Sequence, residues 1–201
     1  MAYLAPAEFV AKMIDAGESK IFMSTKDTLI RAYMAGAILA LAAAFAVTIN
    51  VNTGQPLAGA VLFPVGFCLL YLLGFDLLTG VFTLAPLALI DRRPGVTLNG
   101  VLRNWGLVFV GNFAGAFTVA VFMAIIFTFG FDTEPNKVGQ VIASIGEGRT
   151  LGYAEHGMQG MLTLFIRGVL CNWMVSTGVV AARMPAPVSG QLMAIWMPSI
   201  L

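Results

Sequence analysis

From Leu57 to Phe75 the chain carries no charged residue, and it carries none again from Val81 to Ile90. Between the two runs lies Leu72-Leu73-Gly74-Phe75-Asp76-Leu77-Leu78-Thr79-Gly80. Apolar runs of this length belong in a membrane. A carboxylate at mid-membrane depth is costly, so it marks a bundle interior or a solute path. Gly74 and Gly80 let the backbone leave helical geometry. Irregular backbone at that depth is tolerated only where protein or a water-filled cavity covers it. The stretch therefore reads as a broken membrane helix: one half ends near Leu73, an irregular loop follows, and a second half runs from about Thr79 to Ile90. Asp76 reads as the structural cap of that second half, its carboxylate accepting free N–H groups. Broken helices inside membrane bundles are where solutes pass.

Composition agrees. The 201 residues are 59% hydrophobic and 10% charged, with a mean hydropathy of +0.88, which indicates an all-α polytopic membrane protein. At about 20 apolar residues per helix there is room for about five spans. A net charge of +1 with no basic patch gives no sign of a nucleic-acid partner. Cys68 and Cys171 lie in apolar runs and read as buried, inert thiols. The first 20 residues carry Glu8, Lys12, Asp15, Glu18 and Lys20, unlike a cleavable signal peptide.

In chain order, 1–24 holds an N-terminal amphipathic helix over Pro6 to Phe22. It either lies on the membrane surface or packs on the bundle. Residues 25–130 form a first three-span repeat: a span from about Thr28 to Val51, the broken span, and a third from Val101 to Gly130. Gly111 and Gly115 give the third span a face for close helix contact, within the subunit or between subunits. Residues 131–156 read as an external loop with one short helix around Val138 to Ser144. Residues 157–201 form a partial second repeat, with a fourth span from Gly157 to Ala182, then Pro185 and Pro187, and a fifth apolar run from Val188 that stops at Leu201. Eight of the eleven basic residues (Lys12, Lys20, Lys26, Arg31, Arg92, Arg93, Arg103 and Arg183) fall on one side, which puts the N-terminus in the cytoplasm. Ile30-Arg31-Ala32 echoes Ile166-Arg167-Gly168 three spans later, so a repeat would be inverted in the membrane.

The fourth span contains Arg167-Gly168-Val169-Leu170-Cys171-Asn172-Trp173-Met174-Val175. Together with Gly74 to Gly80 it closely resembles the two signature motifs of the formate/nitrite transporter family. Arg103-Asn104-Trp105, Gly111-Asn112-Phe113 and Gly115 in the third span, and Gly59, Phe63 and Phe67 in the second, resemble the same family. The resemblance covers about residues 28 to 201. It implies an aquaporin-like inverted-repeat bundle of six spans, of which five are present and the last is incomplete. It implies a homopentamer in the inner (cytoplasmic) membrane, one pore per subunit, and small monovalent anions such as formate or nitrite as solutes, with no cofactor. By resemblance Phe63 and Phe67 match an apolar constriction on the periplasmic side, and Leu77, Leu78 and Thr79 match the loop that narrows the cytoplasmic side. Asn172 and Val175 match positions lining the pore between them. The family's central histidine and sixth span would lie beyond Leu201, so the resemblance implies a truncated sequence or an incomplete subunit. Where the family has a pore-facing lysine at the start of the fourth span, this chain has His156. Imidazole carries charge only part of the time near neutral pH, which predicts weaker, pH-dependent attraction of anions.

Plainer readings stand beside these. Thr79 could stabilise the loop rather than face a pore. Phe63 and Phe67, four residues apart, could be helix packing. Asn172 should bond a neighbouring helix or line a cavity, since an unpaired amide facing lipid is costly. Arg167 should pair inside the bundle, and His156 could be a solvated loop histidine beside Glu155. The functional alternatives are a neutral-solute channel and a non-conducting membrane sensor or assembly protein. The sequence shows no metal-ligand cluster, nucleophile–base pair or phosphate loop, which argues against an enzyme.

Overall fold

The computed structural model describes residues 4–184 and 187–200. Pro185 and Leu201, singled out above, lie outside them. The described residues form nine α-helices and one 3₁₀ turn: α1 Pro6–Phe22, α2 Thr25–Thr53, α3 Pro56–Leu62, α4 Val65–Leu73, α5 Leu78–Ile90, α6 Leu98–Phe127, α7 Lys137–Ala154, α8 Gly157–Ala181, α9 Val188–Trp196 and the turn Met197–Ser199. Among the described residues four stretches are long and apolar enough to cross a membrane: Thr25–Thr53, Pro56–Leu73, Leu98–Phe127 and Gly157–Ala181. α3 and α4 make up one of these, jogged where Pro64, which has no N–H to give, interrupts the helix. α5 is the second half of the broken span.

The helix ends follow local chemistry. Ser24 begins α2 by accepting the Asp27 N–H at 3.0 Å, and Thr97 begins α6 by accepting that of Gly100 at 3.1 Å. α2 stops at Gly54, whose φ of 67° is left-handed. α7 is a correction to the sequence reading. The region expected to be a loop with a helix over Val138–Ser144 is helical from Lys137 to Ala154. Asn136 caps it, accepting the Gly139 N–H at 3.0 Å.

The most extensive pairing is α2 against α6. It depends on small residues. A methyl group added at Gly36 would lie 2.0 Å from the Asn112 carbonyl oxygen, and one at Gly115 2.0 Å from that of Tyr33. Gly111 meets the Ala32 Cβ in the same way. The small face of α6 is therefore used within the chain, against α2. α1 packs on the bundle, the second of its two readings. Gly17 sits against the Leu84 carbonyl of α5, and Ile21 joins Ala85, Ala88 and Val101 in a buried cluster. A second cluster, Cys68, Ala182 and Ile195, ties α4 to the end of α8 and to α9. Cys171, in contrast to the expected burial, is exposed on α8.

Close backbone approach generates a prediction. Gly115→Val should push α6 off α2 and lower stability by about 1–3 kcal/mol. Gly106→Ala on the same helix, where an added methyl meets nothing within 4 Å, should leave stability unchanged or slightly raised. Thermal unfolding of detergent-solubilised protein measures both.

Candidate functional site

α4 ends in a Schellman turn. Gly74, at φ 68°, and Phe75 donate N–H bonds back to Tyr71 (3.2 Å) and Leu70 (3.0 Å). Extended backbone then leads to Leu77, and α5 begins at Leu78. The polar groups freed by this break are met by three helices. From α2, the Arg31 carbonyl accepts the Asp76 N–H at 3.4 Å and the Arg31 guanidinium approaches the Gly74 carbonyl at 3.4 Å. From α6, Asn112 accepts the Leu78 N–H at 2.9 Å and donates to the Asp76 and Ala32 carbonyls, both at 2.8 Å. From α1, the Lys20 ammonium forms an ion pair with Asp76 Oδ1.

This corrects the role assigned to Asp76. Its carboxylate does not cap α5; the amide of Asn112 does. Asp76 is 2% exposed, and a buried carboxylate needs a counter-charge more than α5 needs a second acceptor. Lys20, 56 positions away, supplies that charge. Lys20 is held in turn by Asn104, whose amide donates to the Lys20 carbonyl at 3.0 Å. The lysine is invisible to local pattern reading because α1 looks like any charged amphipathic helix. Asn112 was identified only as part of a resembling motif. A clue to its role lay in the sequence: an amide beside two close-packing glycines in an apolar span needs polar partners.

The break opens onto a cavity of about 300 Å³ between α4, α5, α8 and α9. Phe67, Leu77, Thr79 and Val175, four of the residues singled out from the sequence, line it, together with Lys20, Asp76 and Arg183. The Thr79 hydroxyl is buried and without a hydrogen-bond partner among the described residues, as is Asp76 Oδ2. Gly80 has open space where a Cβ would stand. Four other residues are placed elsewhere. Leu78 packs into the core cluster of Ala32, Val81 and Val108, because it and Val81 lie one turn apart on the α6-facing side of α5. Phe63 lies one turn beyond Phe67, ring edge to ring face at 5.6 Å between centroids. Asn172 lies one turn before Val175 on α8, exposed, its amide donating to the Gly168 carbonyl of its own helix at 2.9 Å rather than to a neighbour. His156 is exposed at the α7–α8 corner, in a separate open hollow with Arg167 and Tyr153. There Arg167 donates to the Tyr153 hydroxyl at 2.6 Å and lies over its ring.

The sequence and the overall fold have parallels among known proteins. The family pattern described as formate/nitrite transporter matches residues 7–201. A formate channel of Bacillus thuringiensis, BtFdhC, is 30% identical over 98% of this chain and 74% of its own length. A probable formate transporter of Methanothermobacter thermautotrophicus is 28% identical over 98% of this chain and 76% of its own length. The fold matches that of a solved FNT family ion channel with a TM-score of 0.76, at 19% identity over 96% of this chain and 75% of the other. With the family pattern spanning nearly all of the sequence, the chain belongs to the formate/nitrite transporter family, a family of multi-pass membrane transport proteins.

Proposed function

We propose that the chain forms a passive or proton-coupled channel for small monovalent anions of the formate class, with nitrite as a second solute. The carrying observation is the cavity at the break, where apolar walls from Phe67, Leu77 and Val175 surround the unpartnered hydroxyl of Thr79. The two relatives bearing formate in their names support the choice of solute. Apolar walls oppose a bare anion, because its hydration is lost on entry. A hydroxyl donor at the narrow point offsets part of that cost, and protonation of a weak-acid anion offsets more. Apolar constrictions can also gate by dewetting.

The same reading extends along the pore. Asn172, Val175 and Val179 share one face of α8, and the last two line the cavity. Asn172 continues that wall outward, as Phe63 continues the wall begun by Phe67. His156 sits further out, at the end of α8 opposite Arg183, and Arg167 lies partway along the helix between His156 and Asn172. Residues 25–130 and 157–201 are proposed as the two inverted repeats. The bias of basic residues supports a cytoplasmic N-terminus, and the cytoplasmic membrane is proposed as the location. Assembly is proposed as a homopentamer with one pore in each subunit.

The test is formate and nitrite uptake into proteoliposomes, with assembly checked by size exclusion. Wild-type protein should take up both. Losing a hydrogen bond to a charged group costs about 1.5–3 kcal/mol. If made at the barrier, this is a roughly ten- to hundred-fold loss of flux. Thr79→Val, which removes only a hydroxyl, should fall near the low end, and Asn172→Leu should fall within the range. An Asn172→Leu protein that assembles and carries formate at the wild-type rate makes Asn172 a packing residue. Uptake of glycerol or urea with exclusion of formate would favour the neutral-solute alternative.

A further inference from the structure

Three charged side chains face the cavity: Lys20, Asp76 and Arg183. The first two neutralise one another. Among the described residues Arg183 has no carboxylate within ion-pair distance, and its Nε is buried without a hydrogen-bond partner. Its backbone is nonetheless fixed. The Arg183 N–H donates to Val180 at 3.1 Å, and the preceding Ala182 is fully buried in the cluster with Cys68 and Ile195. The Tyr71 hydroxyl donates to the Ala182 carbonyl at 3.1 Å, tying this point to α4 just before the break. An anchored main chain thus presents a guanidinium, its buried Nε without a partner among the described residues, to a cavity whose other charges cancel.

We propose that Arg183 is the residue that captures the anion at this mouth of the pore and favours planar, carboxylate-shaped solutes. The proposal rests on the channel reading above and adds a specificity-determining residue to it. Guanidinium is always charged, is weakly hydrated, and offers parallel N–H donors that match the two oxygens of a carboxylate or of nitrite. Lys20, already paired with Asp76, holds the break rather than the solute. A purely structural arginine at a helix C-terminus, attracted by the helix dipole, or one reaching a lipid phosphate, would act on stability or lipid dependence and not on solute affinity.

The experiment measures initial formate uptake against concentration in proteoliposomes of the full chain, for wild type, Arg183→Met, Arg183→Lys and the exposed-surface control Lys26→Gln. Vesicles are made with neutral lipid alone and with added phosphatidylglycerol. Arg183→Met should raise the half-saturation concentration about tenfold or more while changing maximal flux far less, the signature of lost ground-state binding. Arg183→Lys, which keeps the charge and loses the fork, should fall between. Lys26→Gln should match wild type, and the pattern should be the same in both lipids. An assembled Arg183→Met protein with wild-type half-saturation overturns the proposal. So does an equal loss in Lys26→Gln, or an effect seen only with phosphatidylglycerol. If Arg183→Met does not assemble, Arg183→Lys decides, since wild-type affinity there is contrary to a fork contact. Wild-type protein that carries no anion defeats the channel reading; wild-type uptake with an unaltered Arg183→Met defeats only this assignment.

Discussion

A helix broken among apolar spans exposes N–H and C=O groups that lipid cannot satisfy, and every other feature of the structure answers to that constraint. The answer is distributed. α2 contributes Arg31, α6 contributes Asn112, and α1 contributes Lys20 to the Asp76 carboxylate. Asn112 alone makes three contacts of 2.8–2.9 Å, two of them on the broken span and one on α2. One amide therefore ties the break to both helices of the tightest pair in the bundle.

That pairing explains the glycines. Asn112 reaches the Ala32 carbonyl only because Gly36, Gly111 and Gly115 let α2 and α6 approach to backbone contact. The helices come close without large apolar side chains between them, and the close approach positions the polar group that holds the break. On the opposite side of α5, Gly80 leaves space rather than contact. Small residues thus serve two purposes around one loop: tight packing behind it and an open cavity before it.

Much of this was legible in the sequence, and the remainder has physical reasons for being hidden. The two glycines and the isolated aspartate in a charge-free run located the break to within a residue or two of Gly74 and Leu78. The amphipathic pattern of α1 located Pro6–Phe22. Partners were harder to read. Asp76 looks like a cap because caps are local, whereas its true partner lies on a different helix. Gly111 and Gly115 gave the small face but not its direction, since closeness to α2 is a property of the fold. α7 is hard to read because its glycines and polar residues mask the cap signal of Asn136. Leu78 was grouped with Leu77 and Thr79 by motif, but a helix that starts at Leu78 turns adjacent side chains about 100° apart, so one faces the core while its neighbours face the cavity.

The Lys20–Asp76 pair holds the broken span in shape, and a double-mutant cycle measures how strongly. Lys20→Met, Asp76→Leu and the double variant would be compared by thermal unfolding in mild detergent and by formate uptake. Removing one partner of a buried pair leaves an uncompensated charge and costs about 3–5 kcal/mol, while replacing both costs much less. Each single variant should be strongly destabilised and lose uptake, and the double variant should regain much of the stability, a coupling of at least about 1 kcal/mol. Additive effects, or a Lys20→Met protein with wild-type stability and flux, would contradict it.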